Sequence, residues 1–69
     1  MLNWNESYNW TKEQFTSVLD KAEINRRETL GLDTEHCSYQ NEQEIVMWAR
    51  ERGYKDVKVE MDRIEIKMK

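Results

Sequence analysis

The alternation of apolar and charged residues from Val57 to Met68 constrains the fold more than any other feature of the chain. A period of two is typical of β-strands that bury one face, and the run is interrupted at Asp62-Arg63. We therefore predict an antiparallel hairpin with a two-residue turn at that point. The apolar pairs of the predicted register are Met61 with Ile64, Val59 with Ile66 and Val57 with Met68.

The polar face of this hairpin argues less clearly for the register than the apolar face does. Lys58 would lie opposite Lys67 and Glu60 opposite Glu65, and like charges directly opposite each other are mildly unfavourable. The Asp-Arg turn also lacks the glycine that two-residue turns prefer. The apolar row nevertheless decides the register, because a slip of one residue would expose half of that row.

A first helix is predicted to begin at Thr11, because Thr11 and Gln14 have the spacing of a capping box. We expect it to continue through Arg26 and Leu30 and to end at Gly31. Ile24 would point away from the core, unless the helix bends before it. The apolar stripe of this helix has the i, i+3, i+4, i+7 spacing and consists of Phe15, Val18, Leu19 and Ala22.

A second helix is predicted to begin at Asn41, where Asn41 and Glu44 repeat the capping-box spacing. It ends at Gly53, with Tyr54 folding back on the last turn. Met47 lies outside its apolar arc. Residues 31–41 are expected to form a connecting loop. The inward stripe is Ile45, Trp48 and Ala49.

The first ten residues have apolar side chains only at even positions, which favours an extended segment with one packed face. This segment is either a third strand at the edge of the sheet or a lid. Together, the elements predict an α+β fold in which two helices pack on a small antiparallel sheet made of the C-terminal hairpin and, in the first case, an N-terminal edge strand.

Composition limits the classes of protein to which the chain can belong. It has 69 residues, a formal net charge of −3 and one cysteine, Cys37. We expect a single domain over residues 1–69, with no disulfide, no metal and no cofactor. No apolar stretch approaches the roughly 18 residues that a membrane span needs, so we expect a cytoplasmic protein without a membrane partner.

Two short patterns suggest catalysis, and each has a simpler explanation. His36 adjoins Cys37, but neighbouring side chains on an extended chain point in opposite directions, and too few ligands accompany them for a metal. Asp62, Glu65 and Lys67 match the carboxylate and lysine pattern of many metal-dependent nucleases. Alternating charges on a solvated strand produce that pattern by chance, so we predict that the chain is not an enzyme.

Acidic residues are concentrated between positions 33 and 44, where the sequence has no lysine or arginine. Such a segment would form a negative patch that meets a basic surface of a partner. Solvation of a loop and compensation of a helix dipole are the alternative explanation. The four acidic residues are Asp33, Glu35, Glu42 and Glu44.

Large apolar residues outside the helix stripes are the second group of candidate contacts, since tryptophan and tyrosine are enriched at interface hot spots. In the N-terminal segment these residues are Trp4, Tyr8 and Trp10, which form either a packed lid or a protein-binding ridge. On the helices they are Ile24 and Met47. Together with the four acidic residues they form the predicted partner-binding site.

The leading hypothesis is a small non-enzymatic protein-binding module, an inhibitor or adaptor of a larger protein with a basic surface. Short acidic chains are common among phage and mobile-element regulators that block host nucleases, including anti-CRISPR proteins; this analogy is one of size and charge only. One alternative is a nucleic-acid-binding or transcription-regulating protein, and another is a homodimer formed through an apolar face. The candidate nucleic-acid contacts are Arg26, Arg27, Arg50, Arg52 and Lys55.

Overall fold

Residues 9–69, which a computed structural model describes, form two helices and three strands. In chain order they are α1 (Lys12–Ile24), β1 (Thr29–Asp33), α2 (Tyr39–Glu51), β2 (Val57–Val59) and β3 (Arg63–Lys67). The strands form an antiparallel sheet in the order β1-β3-β2, with β3 in the centre. The predicted α+β class is confirmed. The strand or lid predicted for the N-terminal segment lies outside the described residues, except for its last two positions.

Helix α1 begins where the sequence predicts and ends earlier. The Thr11 Oγ1 accepts a hydrogen bond from the N–H of Gln14 at 3.1 Å, and the Gln14 side chain accepts one from the N–H of Thr11 at 3.2 Å. The predicted continuation to Gly31 is wrong, because Arg26 adopts a φ of 55° and turns the chain out of the helix after Ile24. The N–H of Arg26 and that of the next residue donate to carbonyls of the last turn, at 3.1 and 3.0 Å. A glycine-type cap therefore closes the helix without a glycine.

Strand β1 occupies a segment that the sequence assigns to a helix end and a loop. Leu30 and Leu32 are buried while Thr29, Gly31 and Asp33 are exposed, so the segment has the period of a strand. The strand is not predicted from the sequence because Leu30 also fits the helical spacing and Gly31 fits a helix stop. Pairing with β3, from the far end of the chain, decides between the two structures.

The C-terminal hairpin is confirmed, but its register differs from the predicted one by two residues. Val59 lies opposite Ile64 and Val57 opposite Ile66, and residues 60–62 connect the strands. A shift of two leaves each strand side chain on its predicted face, so the apolar pattern cannot distinguish the two registers. Met61 lies in the connection and is 97% exposed, instead of belonging to the apolar row.

Charge and turn geometry favour the observed register. Lys58 lies opposite Glu65, which replaces the like-charge pairs of the predicted register with an attractive pair. The longer connection does not need the glycine of a two-residue turn. The N–H of Glu60 donates to the carbonyl of Arg63 at 2.8 Å and closes the connection.

Helix α2 begins at a different cap from the predicted one and ends as predicted. Ser38 is the N-cap, and its Oγ accepts a hydrogen bond from the N–H of Asn41 at 3.1 Å, so the cap predicted at Asn41 is wrong. Because the serine hydroxyl pairs with this N–H, the asparagine side chain is left for another role. At the other end Gly53 has a φ of 96°, and the N–H groups of Gly53 and Tyr54 donate to carbonyls of the last turn, both at 3.0 Å. This is the predicted glycine cap.

The core lies between the helices and one face of the sheet, and the rings of Phe15 and Trp48 pack there with centroids 5.8 Å apart. Ile24 and Met47 are 78% and 52% exposed and lie outside the core, as their positions off the helix stripes predict. Neither helix of the described part of the chain has the length and apolar content that crossing a membrane requires. The buried apolar residues are Phe15, Leu19, Ala22, Leu30, Leu32, Ile45, Ala49, Ile64 and Ile66.

Candidate functional site

A buried asparagine, Asn41, joins two segments at the end of the molecule where the predicted acidic residues lie. Asn41 is 2% exposed, and its side-chain amide pairs with the backbone of Trp10 in both directions. The Asn41 Oδ1 accepts from the N–H of Trp10 at 2.8 Å, and Nδ2 donates to the carbonyl of Trp10 at 2.8 Å. Nδ2 also lies 3.3 Å from the Glu44 Oε1. One side chain therefore ties the chain before α1 to the first turn of α2.

Trp10 is held by several hydrogen bonds and packs partly against the core. In addition to its two backbone bonds, its indole Nε1 donates to the carbonyl of Asp33 at 2.9 Å. The neighbouring Asn9 Oδ1 accepts from the N–H of Ser38 at 3.0 Å. Trp10 thus packs against the fold as a lid would, and the protein-binding ridge stays a prediction. Trp4 and Tyr8 lie outside the described residues.

An open groove of about 610 Å³ lies beside Trp10, between the first half of α1 and the end of β1. The apolar part of its lining comes from Trp10 and Val18, which are both half-buried. The lining also includes two acidic residues, Glu13 and Asp33, and the polar residue Gln14. Among the described residues that line the groove, none is basic. The groove therefore combines an apolar floor with negative charge.

The predicted acidic residues lie around the connection from β1 to α2. The Asp33 Oδ1 accepts from the N–H of Glu35 at 3.1 Å, which fixes the turn after β1. Glu42 lies in the first turn of α2, and Glu44 contacts the Asn41 side chain. Asp33, the last residue of β1, lines the groove and also contacts this connection. The four predicted acidic residues, which we call the acidic surface, therefore adjoin the groove at Asp33.

Cys37 lies within this acidic surface. Partial burial raises the pKa of its thiol, and the Glu42 and Asp33 carboxylates raise the pKa further, while a backbone hydrogen bond from Trp10 opposes them. The thiol is therefore the favoured form at neutral pH.

Ile24 and Met47 do not join the acidic surface. Ile24 lies in the last turn of α1, whereas the groove is formed by the first half of that helix. Met47 lies on the exposed side of α2, beside Val46 and Arg50, and does not line the groove. The partner-binding residues predicted from the sequence thus separate into the acidic surface with Trp10 and two isolated apolar positions.

Glu13, Gln14 and Val18 complete the groove but are not among the residues predicted from the sequence. Val18 was assigned to the inward stripe of α1, where it lies at the margin and stays partly exposed. Glu13 has the character of an ordinary acidic residue in a first helical turn, so no sequence signal distinguishes it. These residues meet Asp33 only through the packing of α1 beside β1, which is a tertiary effect.

The basic residue Arg52 is occupied by carboxylates of α1. Its Nη2 lies 2.9 Å from Asp20 Oδ1 and 3.0 Å from Glu23 Oε1. The hydrogen bond to Asp20 is the largest influence that raises the pKa of Arg52. The hydroxyl of Tyr54 donates to the second oxygen of Glu23, and this bond raises the pKa of Tyr54. Arg52 thus joins α1 to the end of α2.

Within residues 9–69, no group of three or more histidine, cysteine or acidic side chains is placed to hold a metal ion. Comparison of the chain with protein-family models, with curated proteins and with solved structures gives no match.

Proposed function

We propose that this chain is a protein-binding module that acts without catalysis, as an inhibitor or an adaptor that occupies the surface of a larger protein. The observation that carries this proposal is the groove beside Trp10, where an apolar floor adjoins the acidic surface around the β1–α2 connection. A groove of this kind suits a partner that offers an apolar anchor surrounded by basic residues. Exposed carboxylates would mainly speed the association of such a partner.

The partner that fits this chemistry best is an enzyme that processes nucleic acid, because its substrate groove is a basic surface. If Asp33, Glu35, Glu42 and Glu44 occupied the substrate groove of that enzyme, they would exclude the phosphate backbone of its substrate. A chain with this action would belong among the small regulators of phages and mobile elements, and we expect it to act in the cytoplasm, where such host enzymes work.

Direct binding of nucleic acid is less consistent with the site. The groove is lined by acidic residues, and Arg52 already contacts two carboxylates. Arg63 likewise contacts Glu65. A nucleic-acid binder needs basic residues available to neutralise phosphates. The test must nevertheless separate the two functions, since Arg50 and Lys55 remain exposed.

Affinity capture with matched charge variants makes that separation. The first variant carries Asp33→Asn, Glu35→Gln, Glu42→Gln and Glu44→Gln, whose amides keep the hydrogen-bond acceptors. The control variant removes the same amount of charge elsewhere, through Glu28→Gln, Asp56→Asn, Glu60→Gln and Asp62→Asn. Each tagged chain is incubated with lysate of the source cells, with and without nuclease treatment, and retained proteins are quantified by mass spectrometry.

We expect a protein retained by the wild type and by the control variant, and retained about fivefold less by the first variant. Circular dichroism and thermal unfolding of all three chains confirm that the variants fold. Equal retention by both variants would contradict a role for the acidic surface. A catch that disappears on nuclease treatment would favour the nucleic-acid alternative.

A further inference from the structure

One edge of the sheet exposes backbone groups next to the groove. In an antiparallel ladder, alternate residues direct both their N–H and their C=O toward the neighbouring strand. The N–H of Thr34 donates to Asp62 at 3.0 Å, and the carbonyl of Glu28 accepts from Met68 at 2.8 Å. The backbone N–H and C=O groups of the even-numbered positions from 28 to 34 are therefore directed toward β3. Those of the odd-numbered positions of β1 are directed away from β3, toward the outside of the sheet.

The free edge of β1 consists of the backbone groups of Thr29, Gly31 and Asp33. In the part of the chain that the structure describes, β1 ends the strand order, so no described strand covers this edge. Its carbonyls accept hydrogen bonds from side chains at both ends, from the Trp10 indole at 2.9 Å and from the Arg27 Nε at 3.4 Å. Gly31, between them, is exposed and has no side chain to keep another backbone away.

Natural proteins usually protect an exposed edge with proline, with lysine or with a covering element. The sequence of β1, Thr-Leu-Gly-Leu-Asp, contains neither proline nor lysine. An edge of five residues extends over roughly 17 Å, which is long enough to pair with an extended segment. Strand addition to an exposed sheet edge is a recurring mode of peptide recognition.

The groove lies on the same side of β1 as this edge. Asp33 lines the groove and accepts a hydrogen bond from the Trp10 indole with its carbonyl at the edge, while Glu13, Gln14 and Val18 form the opposite wall on α1. A strand added along β1 would therefore pass the groove at the Asp33 end of the edge. Because side chains on a strand alternate, every second side chain of the added strand would point into the groove.

We propose that the partner contributes an extended segment that adds to the free edge of β1 as a further strand. Two side chains of that segment, separated by one residue, face the groove: an apolar residue packs on Trp10 and Val18, and a lysine or arginine pairs with Glu13. The charge of the groove favours this chemistry, since its lining includes the acidic residues Glu13 and Asp33 and no basic residue among the described positions. This mode of binding rests on the proposed protein-binding function and adds the partner's conformation and sequence pattern.

Gly31 offers a matched pair of variants. Its N–H faces the free edge and takes no part in pairing with β3, so Gly31→Pro removes an edge donor without removing a bond of the sheet. Gly31→Ala keeps the donor, and its added Cβ has ordinary contacts, the nearest at 3.6 Å from the Arg63 Nη2. Circular dichroism of both variants checks that the sheet is retained.

The test selects a displayed library of random twelve-residue peptides on the full 69-residue chain. We expect enriched peptides to contain the pattern apolar, any residue, basic. They should bind Gly31→Ala as tightly as the wild type and Gly31→Pro at least about tenfold more weakly. N-methylation of alternate residues in a selected peptide gives two derivatives, one methylated at odd positions and one at even positions. One derivative should lose binding and the other should bind as before, because only one edge of an added strand faces β1.

Each other outcome is decisive. Selected peptides that bind Gly31→Pro and Gly31→Ala equally would overturn strand addition and leave the proposed function standing, provided that they still require the acidic residues. A selection that enriches no peptide would also overturn strand addition, while the lysate capture continues to test the function independently. If light scattering shows a dimeric wild type and a monomeric Gly31→Pro variant, the edge binds a second copy of this chain, and the proposal is wrong.

Discussion

Replacing Asn41 by aspartate changes one atom of the contact that joins the two sides of the candidate site. The introduced carboxyl group keeps an oxygen for the N–H of Trp10 but places a second oxygen where Nδ2 now donates to the Trp10 carbonyl at 2.8 Å. That oxygen would also face the Glu44 carboxylate, which lies 3.3 Å from Nδ2. The substitution therefore exchanges a satisfied pair of hydrogen bonds for one bond and two repulsive contacts.

The expected loss can be estimated from these contacts. One lost hydrogen bond costs about 1 kcal/mol, and a buried carbonyl left without a donor costs about 1–3 kcal/mol. A negative charge in the first turn of α2 returns about 0.3–1 kcal/mol through the helix dipole. The net destabilisation from Asn41→Asp is about 1–4 kcal/mol. For a domain of this length the total stability is roughly 3–10 kcal/mol, so the change is readily measured.

The loss should depend on pH in a defined direction. Burial and Glu44 raise the folded-state pKa of the introduced carboxyl group above its unfolded value of about 3.9. Both states are protonated at pH values below the unfolded pKa, where ionisation causes no penalty. The penalty grows as the pH rises from there through the folded pKa. The stability deficit should therefore be smaller at pH 4 than at pH 7.5.

Urea unfolding followed by circular dichroism at both pH values measures the deficit. The control is Gln40→Glu, which adds a negative charge at the neighbouring exposed position of α2 and should change stability by less than about 0.5 kcal/mol. If Asn41→Asp is no more destabilising than this control at pH 7.5, the paired amide does not hold Trp10 in place and the geometry assigned to the groove is wrong.

Three further predictions follow from local geometry. Arg26→Gly should stabilise the fold by about 0.5–1 kcal/mol in urea unfolding, because glycine adopts the φ of 55° without strain, whereas Arg26→Ala should give no gain. Ser38→Ala should destabilise by about 1 kcal/mol, seen as a lower melting temperature, and Ser38→Asp should restore most of the loss. Cys37 should react with iodoacetamide at higher pH than in the urea-unfolded chain, since burial is the largest influence that raises its pKa. The double substitution Asp33→Asn with Glu42→Gln should return the pH profile part of the way. An unchanged profile would count against an effect of these carboxylates on the thiol.

Features that depend on neighbours in the sequence could be predicted, and features that depend on distant partners could not. The Thr11 capping box and the Gly53 cap each satisfy backbone groups within a few residues, so a short pattern is sufficient to identify them. Strand β1 needs β3 as its partner, and its Leu30 and Gly31 also satisfy the pattern of a helix end. Local pattern alone favours the helix there, whereas pairing across the chain favours the strand.

The hairpin shows the same limit in a different form. Apolar alternation determines which face of β2 and β3 is buried, but it is unchanged when the register shifts by two residues. The observed register depends on the pairing of Lys58 with Glu65 and on a three-residue connection, 60–62, both of which are specific to one alignment. Charge opposite charge is therefore the signal that would have identified the register from the sequence.

The residues of the candidate site also differ in whether the sequence alone could identify them. Asp33 and Glu35 could be found because they are close in sequence, but Glu13 and Val18 reach the groove through the packing of α1 beside β1. Asn41 was assigned to a cap, since asparagine before a helical stripe usually has that role. Only the structure shows that Ser38 takes the cap and releases the amide to bind Trp10.

Asn41 and Trp10 serve stability and site geometry together, which decides how the proposed function should be tested. Removing either side chain would lower stability and deform the groove, so a loss of binding would have two causes. Substitutions at Gly31, Glu13 and the exposed acidic residues separate these causes, because their side chains or edge groups face solvent. Binding lost in those variants, with unfolding free energies within about 0.5 kcal/mol of the wild type, can be assigned to the surface itself.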